Sequence, residues 1–340
     1  MRFSKCKCNQ ALGVLKLEIF GFFKGSIMRK LCFPFGFFAL TMSFLVLAGC
    51  LNQSRLPGKL RVVVTYSVLG DLVKNVAADC AEIVVLVGPD GDAHTFEPTP
   101  KDGISLADAD LVFENGLGFE PWLNKLYAAS NSKARRVIVT QGLEILEGEC
   151  NHKDKNDEKH QHEDDPHVWH EVENSIHMVG IIRDKLAEAD PVNSEKYKAA
   201  STKYLKRLEA LDLWVLAQVE ILPKDRRKLV TSHDTFGYFA NRYGFQVLGT
   251  LLSSFSTEAS DPSPSTFAKL VDSIKAAKVP AIFAENTQNP KVMERLASEA
   301  GVKLAPPLYT DALGKPGSQG DTYENMIRSN VTTIVDALKQ

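Results

Sequence analysis

The sequence predicts an α/β protein built from two parallel-sheet βα lobes joined by one long rigid helix. Three observations carry that prediction. Short apolar, β-branched runs alternate with segments of helical spacing, first over residues 60–140 and again over 228–338, and strands alternating with helices make parallel sheets. Several of the runs are near-continuous rather than alternating in polarity, as in strands covered on both faces. Between the halves lies one stretch of helical spacing of ~28 residues, on the order of 40 Å at 1.5 Å per residue, enough to cross a whole domain.

Taken in order, Leu60–Ser67 (LRVVVTYS) reads as a buried strand, and Val68–Asp79 as a helix with Leu69, Leu72, Val73 and Val76 on one face. Glu82–Gly88 is the next strand. The loop GPDGDAHTFEPTP then breaks the pattern with glycine and proline. Lys101–Asp110 reads as helix, Leu111–Asn115 as strand, Phe119–Ala129 as helix and Arg136–Thr140 as strand. Val172–Ala187 has helical spacing that Asp190-Pro191 interrupts. Asn193 or Ser194 can cap the long helix, whose apolar side recurs at Tyr197, Tyr204, Leu208, Leu211, Val215 and Val219 and which runs to about Ile221. In the second half, Lys228–Ser232, Phe245–Leu251, Pro280–Glu285 and Val302–Leu308 read as strands. Thr235–Tyr243, Ser265–Ala277, Pro290–Ala300 and Thr322–Leu338 read as helices.

The N-terminus has another character. Met28-Arg29-Lys30 precedes the apolar run LCFPFGFFALTMSFLVLAG and then Cys50, the layout of an export signal. Leu47-Ala48-Gly49-Cys50 resembles the lipobox of bacterial lipoproteins, which implies lipidation of Cys50 as the first mature residue. An uncleaved signal anchor is the alternative, since the run nearly spans a bilayer. Met28 begins a complete signal by itself, so translation is expected to start there rather than at Met1. The chain therefore divides into a signal with upstream extension at 1–49, a tether at 50–59, an N-terminal lobe at 60–190, a linking helix at 191–222 and a C-terminal lobe at 223–340. After processing, Cys80 and Cys150 are the cysteines left besides the lipid site. They can pair in an oxidising compartment, and neither belongs to a CxxC motif. Forty Lys+Arg stand against 42 Asp+Glu, a balance that gives no basic face for nucleic acid.

Chemistry concentrates in the His-rich loop at 150–166 and the residues after it. Cys150 to His170 (CNHKDKNDEKHQHEDDPHVWH) holds five of the eight histidines, His152, His160, His162, His167 and His170. Neutral imidazole is the commonest ligand for zinc-like ions, although a charged run of this kind is equally a solvated loop. In open α/β sheets ligands bind beyond the carboxyl ends of the strands. His94 lies in the loop after the second strand, His167 ends the loop after the last strand of the first lobe, His233 directly follows Lys228–Ser232, and Asp311 falls three residues past Leu308. All four map to one rim, two from each lobe, and predict a metal held between the lobes. Each has a bland alternative: a loop-holding histidine at His94, a helix cap at His233-Asp234, a turn aspartate at Asp311. His170 and His177 read as core or surface residues.

Several motifs carry a closer resemblance. Asp92-Ala93-His94-Thr95-Phe96-Glu97-Pro98, Asn115-Gly116-Leu117-Gly118-Phe119-Glu120-Pro121-Trp122, Asp165-Pro166-His167-Val168-Trp169, Ser232-His233-Asp234-Thr235-Phe236-Gly237 and Thr310-Asp311-Ala312-Leu313-Gly314 resemble, in order from Leu60 to the C-terminus, the motif series of the zinc/manganese-binding proteins of ABC transporters, the TroA/ZnuA-like family. The resemblance implies two lobes, a rigid linking helix with limited hinge motion, and an interlobe site whose ligands fall on His94, His167, His233 and Asp311. It also implies a membrane permease and an ATPase as partners, a lipid-anchored location on the outer side of the cytoplasmic membrane, and a monomer. Zinc is the expected ion, because three imidazoles and a carboxylate suit tetrahedral zinc, while manganese prefers harder oxygen donors and the family's manganese members tend to carry glutamate at the place of His233. Manganese remains the alternative cargo. A zinc hydrolase with Glu285 as base and a surface adhesin are rivals from other classes; HExxH is absent from the sequence, and no enzyme activity is expected.

Overall fold

A computed structural model describes residues 58–148, 164–252, 254–258 and 262–339. The expected signal, Cys50, most of the tether, Cys150 and the histidines His152, His160 and His162 lie outside the described residues. Cys80 is a buried free thiol.

The first lobe is built from β1 (Leu60–Tyr66), α1 (Ser67–Ala77), β2 (Ala81–Val87), α2 (Pro100–Ala107), β3 (Leu111–Glu114), α3 (Leu123–Ser130) and β4 (Arg135–Ile138). Its sheet is wholly parallel in the order β2-β1-β3-β4, with Val62 opposite both Ile83 and Leu111. β1 is apolar from Val62 to Val64, where both of its faces are covered. Val62 and Val64 pack with Leu69, Leu72 and Val76 of α1, while Val63 joins Leu106, Val112 and Leu123 on the other side. The chain leaves β1 toward β2 on one side and returns to β3 on the other, so the order reverses between β1 and β3. Such a reversal opens a crevice at the strands' carboxyl ends. α2 begins at a capping box in which Thr99 and Asp102 satisfy each other's backbone N–H, with Pro100 in the first turn.

Past a short turn at Val168–His170 come α4 (Val172–Ala189) and α5 (Ser194–Val219). α5 has 26 residues, about 39 Å at 1.5 Å per residue. Its buried face carries Tyr197, Tyr204, Leu208, Leu211, Val215 and Val219, the residues the spacing selects. It packs against α1 and α4 of the first lobe and the final helix of the second. Arg207 touches both lobes, donating to Asn75 Oδ1 at 3.0 Å and pairing with Glu324. Asp190 supplies the side-chain cap before α5, accepting from the Asn193 N–H; Asn193 itself makes no side-chain cap.

The second lobe contains β5 (Lys228–Thr231), α6 (Gly237–Tyr243), β6 (Gln246–Thr250), α7 (Pro264–Ala277), β7 (Ala281–Glu285), α8 (Lys291–Ala300), β8 (Lys303–Leu308) and α9 (Tyr323–Leu338). Among the described residues its strands form two parallel pairs, β5–β6 and β7–β8, with β5 running beside β7. α6 starts two residues later than the sequence suggests. Phe236 is its N-cap, so Asp234 does not cap it.

The lobes meet through polar bonds near the strand ends. Trp169 Nε1 donates to Thr310 O at 3.0 Å, and the Tyr323 hydroxyl to Trp169 O at 2.8 Å. Leu313 N donates to Ser67 Oγ at 2.9 Å, while Asp90 N donates to Leu313 O at 2.8 Å. Beneath them Trp169 packs its fully buried ring against Tyr66 and Phe119 at centroid distances of 5.1 and 4.9 Å. Aromatic contacts of this size add about 1 kcal/mol each beyond the area they bury.

Candidate metal centre

Each candidate ligand follows a strand or a tight turn, and local bonds fix it. His94 sits in the loop after β2. Its backbone N–H donates to Asp92 Oδ1 at 2.9 Å, Trp122 Nε1 donates to the neighbouring Ala93 O at 2.7 Å, and Phe119 lies edge-on to its ring at 4.7 Å. His167 opens the Val168–His170 turn. Asn115 Nδ2 holds the preceding Pro166 carbonyl at 2.9 Å, and Asp165 Oδ1 accepts from the His167 N–H at 2.9 Å. Asn115 is itself anchored by Glu120, whose carboxylate accepts from the Asn115 and Gly116 N–H groups and from Thr65 Oγ1. Three consecutive left-handed residues, Gly116, Leu117 and Gly118, curl the chain back so that Glu120 can reach them. Burial pushes the Glu120 carboxyl up to about 7, against the opposing pull of these hydrogen bonds.

His233 lies two residues past β5, its carbonyl accepting from Thr231 Oγ1 at 2.9 Å. Asp311 follows β8, where Asn286 Oδ1 accepts from the Thr310 N–H at 3.2 Å.

The structure brings His94, His167, His233 and Asp311 together, all buried, with one donor atom from each inside a span of 4.8 Å. The His167 Nε2 atom lies 3.4 Å from that of His94 and 3.3 Å from that of His233. Asp311 oxygens lie 3.3, 3.6 and 3.8 Å from the Nε2 atoms of His233, His167 and His94. A tetrahedron with metal–ligand bonds of roughly 2.0–2.1 Å has edges of about 3.3–3.4 Å, so the three shortest separations match a zinc tetrahedron's edge, while the Asp311 separations from His167 (through Oδ1) and His94 (through Oδ2) exceed it. Both Asp311 oxygens are buried without a hydrogen-bond partner. A buried carboxylate lacking donors is costly unless a cation meets it.

Two further carboxylates set the imidazoles. His167 Nδ1 lies 2.8 Å from Asp165 Oδ1 and His233 Nδ1 lies 2.5 Å from Glu285 Oε2. With the ring proton on Nδ1, each Nε2 lone pair points at the common centre. Gly237, at the start of α6, makes room for this arrangement, since a Cβ there would stand 2.6 Å from Asp165 Oδ2. Burial pushes His94 down to about 3, Asp311 opposing only in part, and leaves its ring neutral. His233 behaves oppositely: burial works against its charge, but Glu285 and Asp311 outweigh it and raise the ring well above its ordinary value. Asp311 is held below the usual carboxylate range because His233, with His167 and His94, overcomes burial.

His170 and His177 stay outside the cluster. His170 is buried against Phe236 at 4.6 Å with Nδ1 unpartnered, and His177 is exposed with Nε2 3.0 Å from Gln141 O. Sequence reasoning missed Asp165 and gave Glu285 a different role, that of a base. Both Glu285 oxygens are occupied by four contacts, from Ser232 N, His233 N, His233 Nδ1 and Thr310 Oγ1.

Comparison with known proteins places these features in context. Residues 62–337 match the family model for the periplasmic component A of the zinc-uptake complex. The manganese-binding lipoprotein MntA of Halalkalibacterium halodurans is 33% identical over 317 residues, covering 92% of this chain and all of the relative. The manganese ABC transporter substrate-binding lipoprotein PsaA of Streptococcus mitis is 30% identical, over 88% of this chain and 97% of its own. Among solved structures, the periplasmic zinc-binding protein TroA of Treponema pallidum superposes with a TM-score of 0.73 at 31% identity, covering 83% of this chain and 99% of its own. A manganese-bound periplasmic metal-binding protein of Candidatus Liberibacter asiaticus gives a TM-score of 0.72 at 28% identity, over 82% and 100%.

Proposed function

This chain belongs to the family of the periplasmic component A of zinc-uptake complexes, the metal-binding substrate-binding proteins of ABC transporters, and from that premise we propose that its cargo is zinc. It captures Zn²⁺ outside the cytoplasm and delivers it to a membrane permease driven by an ATPase. The observation that carries this reading is the donor set: three imidazole nitrogens and one carboxylate oxygen, buried and spaced close to tetrahedral edges. Tetrahedral nitrogen-rich coordination suits zinc.

The ion is bound with its water stripped away, since His167, His233 and Asp311 are fully buried and His94 is 3% exposed. Loading and release therefore require the lobes to part, breaking bonds such as Trp169 to Thr310 and Leu313 to Ser67. A lipid on Cys50 keeps the monomeric protein on the outer side of the membrane, near its permease. Among the described residues no helix is long and apolar enough to cross a membrane. Capture is favoured over hydrolysis because four protein donors leave no position for a reacting water, and because Glu285 is committed to its own four contacts.

Manganese is the second reading, favoured by two observations. The relatives MntA and PsaA are named for manganese, and Asp311 has both oxygens free of donors, so it can present the bidentate oxygen face that a harder ion prefers. Metal analysis after equilibration of the purified protein with equimolar Zn²⁺ and Mn²⁺ separates the readings. One zinc per chain, lost in His233→Ala, is the expected result; manganese retained in preference to zinc would overturn it.

A further inference from the structure

We propose that Glu285 is the positioning residue that selects the metal-binding form of His233, and that the metal site fails when this carboxylate becomes an amide of the same shape. The inference rests on the reading of His94, His167, His233 and Asp311 as ligands of one divalent ion.

Glu285 ends β7, 52 residues from His233 in sequence, and is 2% exposed. Its two oxygens do different work. Oε1 accepts the backbone N–H groups of Ser232 at 2.9 Å and His233 at 3.0 Å, and so ties the end of β5 to the end of β7. Oε2 faces His233 Nδ1 at 2.5 Å and the Thr310 hydroxyl at 3.2 Å. One carboxylate thus orients the His233 ring, fixes its backbone and holds the residue preceding Asp311. Both second-lobe ligands depend on it.

The acceptor-only character of a carboxylate is what matters. A ligating histidine needs a bare Nε2 and must donate from Nδ1, so the group beyond Nδ1 must accept. In Glu285→Gln the side chain can take two orientations. With its oxygen at the Oε1 position it keeps both backbone bonds, but its NH₂ then faces Nδ1. The ring must accept there and carry its proton on Nε2, where it points at His167 Nε2 and Asp311 Oδ2, each 3.3 Å away. With the amide reversed, Nδ1 keeps its acceptor, but the NH₂ confronts two buried backbone N–H groups that lose theirs. The first orientation preserves the fold and closes the site to metal.

Asp165 supplies an internal control. It too serves a ligand's Nδ1, but a single oxygen, Oδ1, accepts both the His167 N–H and Nδ1, and among the described residues no hydrogen bond to Oδ2 is present. Asn at 165 can keep its oxygen at Oδ1 and place its NH₂ at Oδ2, leaving His167 in its ligating form. Two carboxylate-to-amide changes beside two ligands therefore have unequal effects, and the geometry states which is worse.

The test measures Zn²⁺ affinity by chelator competition on the full mature chain for wild type, Glu285→Gln, Glu285→Ala and Asp165→Asn, with metal-free thermal midpoints alongside. Carboxylates behind ligating histidines are worth roughly 10–100-fold in affinity. Glu285→Gln is expected to lose about 100-fold, near the upper end of that range, with a metal-free midpoint close to wild type, and Asp165→Asn less than about 10-fold, near the lower end. Glu285→Ala, whose ring is free to choose its proton position, is expected to bind more tightly than Glu285→Gln, an inversion that a purely structural role would not produce. In the Co²⁺-loaded proteins the intense visible bands of four-coordinate cobalt should persist in Asp165→Asn and fade in Glu285→Gln as His233 leaves the ion. Should Glu285→Gln fail to fold, the alanine variant decides: affinity lowered about 10-fold or more supports the proposal, and affinity within about threefold of wild type overturns it. Glu285→Gln binding within about threefold of wild type, or losing no more than Asp165→Asn, also overturns it. A wild-type protein that binds no divalent ion at all would instead remove the functional reading on which the inference stands.

Discussion

Metal uptake by this protein should expel a proton from His233, and the size of that effect follows from the site. In the metal-free fold, Glu285 and Asp311 flank the His233 ring at 2.5 and 3.3 Å and raise it well above its ordinary value despite burial. That shift favours the doubly protonated ring, whose Nε2 proton an incoming metal must displace while Glu285 keeps the one on Nδ1. His94 contributes nothing to the count at that pH, because burial has pushed it down to about 3 and it is already neutral. The sign follows from linkage. A group protonated in the free state and deprotonated in the bound state makes apparent affinity rise with pH up to the free-state value. One such proton changes the apparent association constant about tenfold per pH unit, ~1.4 kcal/mol. Titration calorimetry with Zn²⁺ in two buffers of different ionisation enthalpy counts the protons directly. At pH 7 the expected release is at least about one proton per ion, and apparent affinity should climb between pH 6 and 8. Zero release at pH 7, or affinity flat across that interval, would refute the assignment of the proton to His233.

Two further predictions concern stability. His94 and His170 are both pushed down to about 3 from an ordinary value of 6.5, chiefly by burial. The unfolded chain therefore takes up their protons first, so their contribution to metal-free stability is complete above about pH 6.5 and is lost as pH falls toward 3. His170→Phe keeps the ring packed on Phe236 while removing one of these groups. It should move the acid-unfolding midpoint followed by circular dichroism to lower pH and leave Zn²⁺ affinity unchanged. Asp212, buried on the long linking helix, accepts from Arg242 Nη2 at 2.6 Å and from the Tyr243 hydroxyl at 2.7 Å. Asp212→Ala removes the acceptor of the Tyr243 hydroxyl and one of two carboxylates on Arg242, Glu173 remaining, and should cost about 1 kcal/mol in urea unfolding, again without changing metal affinity.

How far the linear sequence revealed this molecule depends on whether a feature is periodic, local or assembled. The buried strand β1 and the face of α5 from Tyr197 to Val219 were legible because burial writes a repeat of fixed period into the chain. Helix ends were less so. Asp234 looks like a cap but Phe236 holds that position, while Asp190, four residues before α5, supplies a cap that spacing alone does not single out. His94, His167, His233 and Asp311 were visible because polar residues placed just past apolar strands share one rim, whatever the details of packing. Asp165 had a signal that went unused, namely an acceptor two residues before a candidate ligand histidine, close enough to take both its backbone and ring protons.

Glu285 is the instructive case. Its partnership with His233 depends on β5 lying beside β7, and no local pattern encodes that pairing. The sequence nevertheless poses the question. Ala281–Glu285 is buried at every position, and a carboxylate closing such a strand is unfavourable unless donors are brought to it. The fold meets that demand with the four groups that also align His233 and support the Asp311 turn. A lone acid at the end of an apolar strand is thus evidence that other segments converge there. The rival assignment of Glu285 as a base took its position on the rim into account but not its need for donors, and that need decides between the two roles.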